Sequence, residues 1–454
     1  MADARILIVG AGPTGLVLAL TLARQGVACR IVDRSPAPGL ASRAMAVQAR
    51  TLELYDQLGF ADEVVALGIP MKTFHLREGG EEVARIRLSD IGADLSPYPF
   101  ALCFAQDDHE RFLAARLRAL GVEVERGVSL DSLEQDEQGV RAVLRREGGV
   151  FERVEADFLC GCDGAHSTVR QALGIGFPGG TYEQAFYVAD VRAEGVAEDD
   201  LFVSVDADTL ALMLPVRSSG MKRFIGMVPR ALGAVAQPTF ENIRPHAEAL
   251  LGVRVSEVHW FSTYRVHHRV ADRFQLGRVF IAGDAGHVHS PAGGQGMNTG
   301  IGDAYNLAWK LALVARGAAP PALLASYEPE RIAFARKLVE STDRAFEAVV
   351  GRGWAGKLVR TALLPLVLPV ATDFEAVRRM IFRTVSQIRI NYRESPLSDG
   401  RAGELHAGDR LPWVAVPGGG SNFDALRARC WRLQVYGTPQ AALEAAAARA
   451  ALPL

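Results

Sequence analysis

The chain has few cysteines, and they follow no pattern. Five cysteines are scattered over the 454 residues, at Cys29, Cys103, Cys160, Cys162 and Cys430. This odd set provides neither an even disulfide framework nor the paired spacing of a zinc site. Cys160 and Cys162 fall in a strand-like run, so we interpret them as small buried apolar residues. The sequence therefore predicts no metal site.

An excess of one charge and a long apolar run are also missing. The 50 lysines and arginines nearly balance the 52 aspartates and glutamates, for a formal net charge of −2, which gives no electrostatic reason to expect nucleic acid. The most apolar late stretch, Leu358 to Ala371, is shorter than a membrane span and contains Pro365 and Pro369. Met1 to Arg5 shows no secretory signal pattern. We expect a soluble cytoplasmic protein that binds neither nucleic acid nor membrane.

The length and the apolar content indicate several hydrophobic cores. Hydrophobic residues make up 49% of the chain, and 454 residues exceed what one core usually organises, so two or three domains are expected. Arg5 to Val9 predicts a buried strand, Thr14 to Gln25 a helix, and Cys29 to Asp33 a second strand. The chain thus opens with a strand–helix–strand unit.

Later segments alternate between helical and strand-like patterns. Helices are predicted at Ala46 to Leu58, Asp107 to Leu120, Ile243 to Leu251, Asp303 to Arg316, Tyr327 to Ala348 and Pro439 to Ala451. Strands are predicted around a Gly79-Gly80 hairpin, in three runs from Val122 to Cys162, in four runs from Leu201 to Val266, and at Trp431 to Tyr436. We therefore predict an α/β fold with a sheet domain inserted into it.

A glycine turn follows the first strand. Gly10 allows a tight turn, Gly12 lets a pyrophosphate approach the backbone, and Gly15 allows close packing of the helix on the strand. The start of this helix supplies N–H donors and partial positive charge. Asp33, at the end of the second strand, is placed to bind ribose hydroxyls. The unit predicts a dinucleotide site, but it does not distinguish FAD from NAD.

A second glycine loop follows a later strand. Gly283 and Asp284 end this strand, and Pro291 and the run Gly293 to Asn298 precede a helix. N–H donors at such a helix start suit the N1 and O2 side of an isoalloxazine ring, where reduction places negative charge. Asp284 is placed to hold the ribityl hydroxyls. The alternative is a purely structural glycine loop.

A third segment, Asp163-Gly164 to Arg170, again passes from a strand into a helix. One interpretation is a ribose or phosphate contact. The other is a helix N-cap provided by Ser167.

Together the three segments resemble the class A flavoprotein monooxygenases, the FAD-dependent aromatic hydroxylases similar to p-hydroxybenzoate hydroxylase. The likeness covers roughly residues 3 to 345 and is greatest to the phenol-hydroxylase-like branch, which includes polyketide and rifampicin hydroxylases. It implies a Rossmann-like FAD-binding domain from residues 1–72, 101–178 and 272–330, and an inserted substrate-binding sheet domain from residues 73–100 and 179–271. Residues 331–395 should form a helical segment, and residues 396–454 a short remnant of a thioredoxin-like C-terminal domain.

The resemblance also implies roles for residues that match the family's motifs. Gly10, Gly12 and Gly15 would bind the pyrophosphate, Asp33 the adenosine ribose, and Asp284 the ribityl chain. Asp163 and Arg170 lie in a segment assigned to both FAD and NAD(P)H. The other predicted FAD contacts are Pro13, Thr14, Arg34, Arg43, Gln106, Val128, Pro291, Gly296, Met297 and Asn298.

The activity implied by the resemblance is hydroxylation of a phenolic or polyketide aromatic substrate by O2 and NAD(P)H, through a flavin C4a-hydroperoxide. FAD would be bound non-covalently. NADPH or NADH would visit transiently, because the sequence has no second strand–GxGxxG–helix unit. Pro291 and Gly294 are expected nearest to the chemistry, no catalytic acid or base is assigned, and the chain is expected to be a monomer or a homodimer.

Three departures from the family pattern and several alternatives accompany this interpretation. Asp33 and Gly286 stand where Glu and Ala are commoner, and the tail after Ser395 is short. A related flavoprotein could perform Baeyer–Villiger oxidation or inactivate an antibiotic, and a non-enzyme could keep the fold only to bind a ligand or partner. Arg265, His267 and His268 are candidates for substrate contact, with a solvated cluster at a sheet edge as the alternative. His287 and His289 are candidates for orienting the second glycine loop, with loop histidines that are satisfied by the backbone as the alternative. Candidates for an aromatic pocket, most of them expected in the core instead, are Phe202, Met213, Phe224, Met227, Trp260 and Tyr264.

Overall fold

A computed structural model of the protein describes residues 5–39, 44–89, 91–195, 200–206, 208–232, 237–350, 358–428, 431–434, 438 and 440–449. Of the predicted site residues, Arg43 lies outside this part of the chain.

Of the 22 strands in the described part of the chain, 20 lie between residues 6 and 288. They are β1 Ile6–Val9, β2 Cys29–Asp33, β3 Ala46–Val47, β4 Ile69–Pro70, β5 Thr73–Glu78, β6 Glu81–Arg87, β7 Leu102–Cys103, β8 Val124–Arg126, β9 Val128–Gln135, β10 Val140–Arg146, β11 Phe151–Ala156, β12 Phe158–Gly161, β13 Gly179–Glu194, β14 Leu201–Val205, β15 Leu210–Val216, β16 Met221–Met227, β17 Arg254–Val270, β18 Gln275–Leu276, β19 Val279–Ile281, β20 His287–Val288, β21 Arg401–Ala402 and β22 Leu405–His406.

The α-helices concentrate in the first third and in the second half of the chain. They are α1 Pro13–Arg24, α2 Ala49–Gln57, α3 Ala61–Leu67, α4 Gln106–Ala119, α5 Thr168–Ala172, α6 Phe240–Leu251, α7 Gly296–Ala315, α8 Tyr327–Val350, α9 Leu364–Asp373, α10 Glu375–Val385 and α11 Ala441–Arg449. In the described part of the chain, no helix is both long enough and apolar enough to cross a membrane.

A six-stranded sheet with the order β18-β19-β12-β1-β2-β8 forms the centre of the main core. Its strands are parallel except for β18, which pairs antiparallel with β19. β1 and β12 are buried along their whole length, as expected for a parallel sheet that is covered on both faces. The predicted opening strand–helix–strand unit is present, with α1 packed against α7.

A second sheet has eight strands, in the order β20-β17-β13-β16-β15-β14-β5-β6. α6 covers one of its faces, where Phe202, Met213 and Phe224 are core residues, as expected for most of the aromatic candidates. A second core cluster contains Met227 and Phe346 of α8. The predicted hairpin at Gly79-Gly80 joins β5 to β6, and both glycines have positive φ. The predicted α/β class is therefore confirmed.

Several predicted elements need correction. Ala46 and Val47 are not helical but form β3, which pairs with β7, so the helix begins only at Ala49. Five strands rather than three lie between residues 122 and 162. α7 begins at Gly296, seven residues before the predicted start at Asp303. Trp431 to Gln434 is not a strand, and Tyr436, the last residue of that prediction, lies outside the described residues.

Candidate active site

The first glycine turn, residues 10–15, connects β1 to α1. Gly10 has φ +105°, and a Cβ there would lie 2.3 Å from the carbonyl oxygen of Cys162. A Cβ on Gly15 would lie 2.0 Å from the carbonyl oxygen of Gly10. Gly12 has no atom within 4 Å of its Cβ position, so the space beside Gly12 stays open for a ligand. The predicted steric reasons for Gly10 and Gly15 are thus present in the structure.

Asp33 lies at the end of β2, next to this turn. Its Oδ2 accepts a hydrogen bond from the Ala11 N–H at 2.6 Å, and its Oδ1 accepts one from the Ser35 N–H at 2.8 Å. Arg126 Nη1 is 3.8 Å from Oδ1. The carboxylate therefore helps to hold the glycine turn at Ala11.

The start of α7 approaches the start of α1 through small residues. A Cβ on Gly300 would lie 2.4 Å from Thr14 Oγ1, and a Cβ on Gly283 would lie 2.6 Å from the same atom. Two helix N-termini thus converge at one place, and both favour negative charge on a ligand. The sequence analysis missed the part played by Gly300.

A buried carboxylate supports this convergence from behind. Asp303 Oδ2 accepts a hydrogen bond from the Gly283 N–H at 3.0 Å and lies 2.7 Å from His287 Nε2, while Oδ1 accepts one from Arg331 Nε at 2.6 Å. Burial alone would raise the pKa of the Asp303 carboxyl, but Arg331 and His287 beside it bring the pKa below its ordinary value. The charged network fixes the strand end that carries Asp284. Of the two predicted alternatives for His287, loop orientation fits this contact.

The second glycine loop, residues 290–298, is fastened to the body of the protein. Gln48 Nε2 donates to the Gly293 carbonyl at 2.9 Å. Asn298 Oδ1 accepts from the Gln48 N–H and from Thr51 Oγ1, and Asn298 Nδ2 donates to the carbonyls of Ala46 and Gly294. The side chain of Asn298, predicted to lie near the flavin, is thus occupied within the protein.

The third segment is built as a helix start. Asp163 Oδ2 accepts from the N–H groups of Thr168 and Val169, and Ser167 caps α5 by accepting from the Arg170 N–H at 2.9 Å. The Ser167 N-cap, one of the two interpretations, is therefore present. Arg170 is buried, and its guanidinium donates to the carbonyls of Ala285 and Ala165, both at 2.8 Å. It therefore ties this segment to the turn that carries Asp284.

One cavity of about 750 Å³ joins these parts. It runs from the first glycine turn past Asp284 to the second glycine loop, and an apolar wall closes its other side. That wall comes from the eight-stranded sheet, from the loops before β5 and β7, and from α10, and it includes Met71, Phe74, Leu88, Ile91, Leu201, Leu212, Leu214, Ile225, Ile381, Phe382 and Val385. A long dinucleotide with an aromatic ring at one end suits this shape.

Two polar atoms at this cavity support a ligand there. His289 Nε2 and Ser386 Oγ are buried and have no hydrogen-bond partner in the described part of the chain, and both residues line the cavity. Buried polar atoms without partners are costly, so a ligand that supplies partners would stabilise them. Burial lowers the pKa of His289 to about 4, so the ring is neutral near pH 7.

The cavity brings together only some of the predicted site residues. Those that line it are Gly12, Pro13, Thr14, Gln106, Asp284, Pro291, Gly294, Gly296 and Met297, together with the substrate candidates Tyr264, Arg265 and His267. Those outside its lining are Gly10, Gly15, Asp33, Arg34, Val128, Asp163, Arg170 and Asn298. Sequence reasoning missed Gln48 and the α10 residues. The only signal for the α10 residues was their place in the helical segment 331–395 that the resemblance implies, and Gln48 had none.

The two neighbouring candidate histidines each have a side-chain partner. His268 Nδ1 lies 2.8 Å from Asp343 Oδ1, and His267 Nδ1 lies 2.7 Å from Thr181 Oγ1. Among the described residues, no group of three or more His, Cys, Asp or Glu side chains could hold a metal ion.

A parallel sheet with two glycine-lined helix starts at one cavity defines a dinucleotide-binding α/β protein. Residues 3–342 match the family described as FAD binding domain, and the chain belongs to this family. It is similar to 6-methylpretetramide 4-monooxygenase of Streptomyces rimosus, at 38% identity over 419 residues, covering 89% of this chain and 73% of that protein. It is also similar to pentachlorophenol 4-monooxygenase of Sphingobium chlorophenolicum, at 34% identity over 437 residues, covering 94% and 78% respectively.

The chain is also similar to a solved flavoprotein structure. The flavin-dependent monooxygenase PieE, in complex with FAD and substrate, superposes with a TM-score of 0.76 at 27% identity, covering 93% of this chain and 83% of that one. The predicted family, the enzyme class and FAD as the cofactor are confirmed.

Proposed function

We propose that this protein is an FAD- and NAD(P)H-dependent monooxygenase that hydroxylates a phenolic or polyketide aromatic substrate with O2. The observation that carries the proposal is that one cavity joins two glycine segments at helix starts to an apolar wall. Such a wall suits an aromatic substrate that lies beside a flavin ring. The relatives named for pentachlorophenol and 6-methylpretetramide support this substrate class.

The residues present fit FAD along the length of the cavity. Gly12 and Thr14 would hold the pyrophosphate, because the space beside Gly12 is open and α1 begins there. Asp33 and Gln106 would contact the adenosine side, and Asp284 the ribityl hydroxyls. Gly296 and Met297 would present first-turn N–H groups of α7 to the ring. When bound, FAD supplies electron transfer and the activation of O2.

The protein's own residues orient the substrate and keep water away. His289 Nδ1 lies 2.7 Å from the Ser290 carbonyl. Since a carbonyl only accepts, Nδ1 carries the proton, and Nε2 is left as an acceptor for a donor such as a phenolic hydroxyl. The apolar residues of the sheet and α10 exclude water from the same space.

NADPH or NADH would deliver electrons without a docking domain of its own. Asp163 and Arg170 remain candidates for that step. The contacts of Arg170 with Ala285 and Ala165 support an indirect role, in which it holds the turn at Asp284.

The proposed domain boundaries follow the two sheets. The strands of the six-stranded sheet fall within residues 1–72, 101–178 and 272–330, and those of the eight-stranded sheet, apart from β20, fall within residues 73–100 and 179–271. Residues 331–395 supply α9, α10 and all but the first four residues of α8. Residues 396–454 would form a short remnant of a thioredoxin-like C-terminal domain.

Oxygen labelling tests the function. The purified protein is incubated with NADPH or NADH and a panel of phenols and polyketide aromatics under ¹⁸O₂, and products are analysed by mass spectrometry and NMR. We expect a ring hydroxyl that carries one labelled atom, and no label when only the water is enriched. If the label appeared instead in a ring-expanded ester, the reaction would be a Baeyer–Villiger oxidation and not a hydroxylation. Product without label from O2, or no turnover with any compound, would refute a monooxygenase of this substrate class.

A further inference from the structure

The turn after α10 contains a residue with unfavourable backbone geometry. α10 ends at Val385, and Gln387 has φ +62°. This left-handed region after a helix end is usually occupied by glycine, because a Cβ is disfavoured there. Gln387 is also buried, with only 4% of its surface exposed. A long polar side chain at such a position indicates that the side chain itself is used.

The side-chain amide of Gln387 is directed at the second glycine loop and at the start of α7. Gln387 Nε2 lies 2.6 Å from Gln295 Oε1, 2.9 Å from Thr299 Oγ1 and 3.3 Å from the Gln295 carbonyl. Gln295 and Thr299 are themselves buried. The contacts span 88 to 92 residues of sequence, so they join α10 to α7.

Hydrogen-bond chemistry fixes the orientation of both amides. Gln295 Nε2 donates to the carbonyls of Val385 at 2.7 Å and Gly293 at 3.3 Å. Because carbonyls only accept, this atom must be the NH₂ group, and Gln295 Oε1 must be an acceptor. The Thr299 hydroxyl donates to the Gln295 carbonyl at 3.0 Å and keeps a lone pair for Gln387. Only an NH₂ group of Gln387 satisfies these partners.

The second glycine loop is therefore held from two sides. On the side of α2, Gln48 holds the Gly293 carbonyl. Asn298 of α7, which is itself bonded to Gln48 and Thr51, holds the Gly294 carbonyl. Gln387 and the Val385 carbonyl hold Gln295 from the side of α10. Gly293 and Gly294 both have positive φ, so the loop between these supports has backbone freedom that the supports must restrict.

We propose that Gln387 is a positioning residue for the reaction. Its amide sets the conformation of the second glycine loop and so aims the first-turn N–H groups of α7 at the flavin ring. This role rests on the proposed function for the FAD contact, whereas the link between Gln387 and the loop is a property of the protein alone.

The main test replaces Gln387 by methionine. Methionine has a similar length and, like glutamine, a Cβ that is disfavoured at positive φ, but it has no hydrogen-bond donor. In the Gln387→Met protein, peptides that cover residues 290–300 should exchange amide hydrogens about tenfold faster than in the wild type, because the loop opens more easily. Peptides from β1 and β17 should be unchanged. The FAD dissociation constant should rise about fivefold or more, with a shifted flavin absorption band, since first-turn donors are displaced. Arg389→Ala, at an exposed position two residues further on, should match the wild type.

A second variant separates the side chain from the backbone. Gln387→Gly removes the amide and also relieves the left-handed geometry. If Gln387 only ends the helix, this variant should be at least as thermally stable as the wild type, with normal exchange in residues 290–300 and a normal flavin spectrum. That outcome, or unchanged loop exchange in Gln387→Met, overturns the proposal. We expect fast loop exchange in both variants and partial recovery in Gln387→Asn, which keeps a shorter amide. If wild-type protein bound no FAD, the proposed function would fail, while the exchange data would still test the link to the loop.

Discussion

His109 on α4 has no solvent contact, and its Nε2 lies 2.7 Å from the hydroxyl of Tyr55 on α2. Burial lowers the pKa of His109 from its ordinary 6.5 to about 3, because an imidazolium would lose its hydration there without gaining a counter-charge. Burial lowers the pKa of His289 in the same way, to about 4. Both rings stay neutral in the folded protein, so both link folding to pH.

We expect the protein to lose stability on acidification from about pH 7 to about pH 5, and the His109→Gln variant to lose less. The unfolded chain protonates His109 near pH 6.5, whereas the folded chain resists protonation down to about pH 3. The contribution of this ring is therefore complete above pH 6.5 and falls as the pH falls. Between about pH 7 and about pH 5, this ring alone should lower the free energy of unfolding by about 2 kcal/mol. Urea unfolding at both pH values measures the difference. His259→Gln, at an exposed position, should keep the wild-type pH dependence, and the same dependence in His109→Gln would contradict the assignment.

Among the structural elements, those with local signals were predictable. β1, α1 and β2 follow from a β-branched run, a glycine turn and helical periodicity within 33 residues. The local pattern predicts β3 as part of a helix. This prediction is wrong because the conformation of β3 depends on its pairing with β7, which lies more than 50 residues away in sequence. β13 was missed because glycines and alanines interrupt its pattern, although it pairs with both β16 and β17. The start of α7 was missed because Gly296 and Gly300 are poor helix formers, yet Gly300 is needed beside Thr14.

The first glycine turn allows folding and binding to be tested separately. Gly12→Ala should fold normally, because Gly12 has φ −73° and no atom lies near its Cβ position. Its added methyl group would occupy cavity space, so the FAD dissociation constant should rise about tenfold, or about 1.4 kcal/mol. Gly10→Ala should instead fold poorly, since its Cβ would lie 2.3 Å from the Cys162 carbonyl oxygen. Thermal unfolding without FAD and titration with FAD measure the two effects. Normal FAD affinity in Gly12→Ala would show that the pyrophosphate does not bind at this turn.

At the scale of the whole molecule, the cavity depends on contacts between distant parts of the chain. The first glycine turn, the second glycine loop and the third segment were recognisable in sequence because each combines a strand end, glycines and a helix start. Gln48, Val385 and Ser386 were not, since nothing local shows that α2 and the end of α10 meet at residues 290–298. The same limit applies to Asn298. Its flavin contact stays a prediction, whereas the partners of its side chain, which come from residues 46–51, could not be predicted from the sequence.

The wall formed by α10 leads to a prediction about coupling between substrate and reductant. Phe382 lines the cavity and packs so closely on Gly92 that a Cβ there would lie 2.2 Å from Phe382 Cζ. A true substrate completes the apolar enclosure, so it should accelerate NAD(P)H consumption about tenfold or more, which is about 1.4 kcal/mol of barrier. Phe382→Ala opens the wall to water, so more of the NAD(P)H consumed should appear as hydrogen peroxide and less as hydroxylated product. Phe374→Ala, in the same helical segment but exposed, is the matched control and should keep the wild-type ratio. The measurement is the ratio of peroxide to hydroxylated product, taken with the same substrate in the wild type, in Phe382→Ala and in Phe374→Ala. An unchanged ratio in Phe382→Ala would show that α10 does not protect the reaction from water.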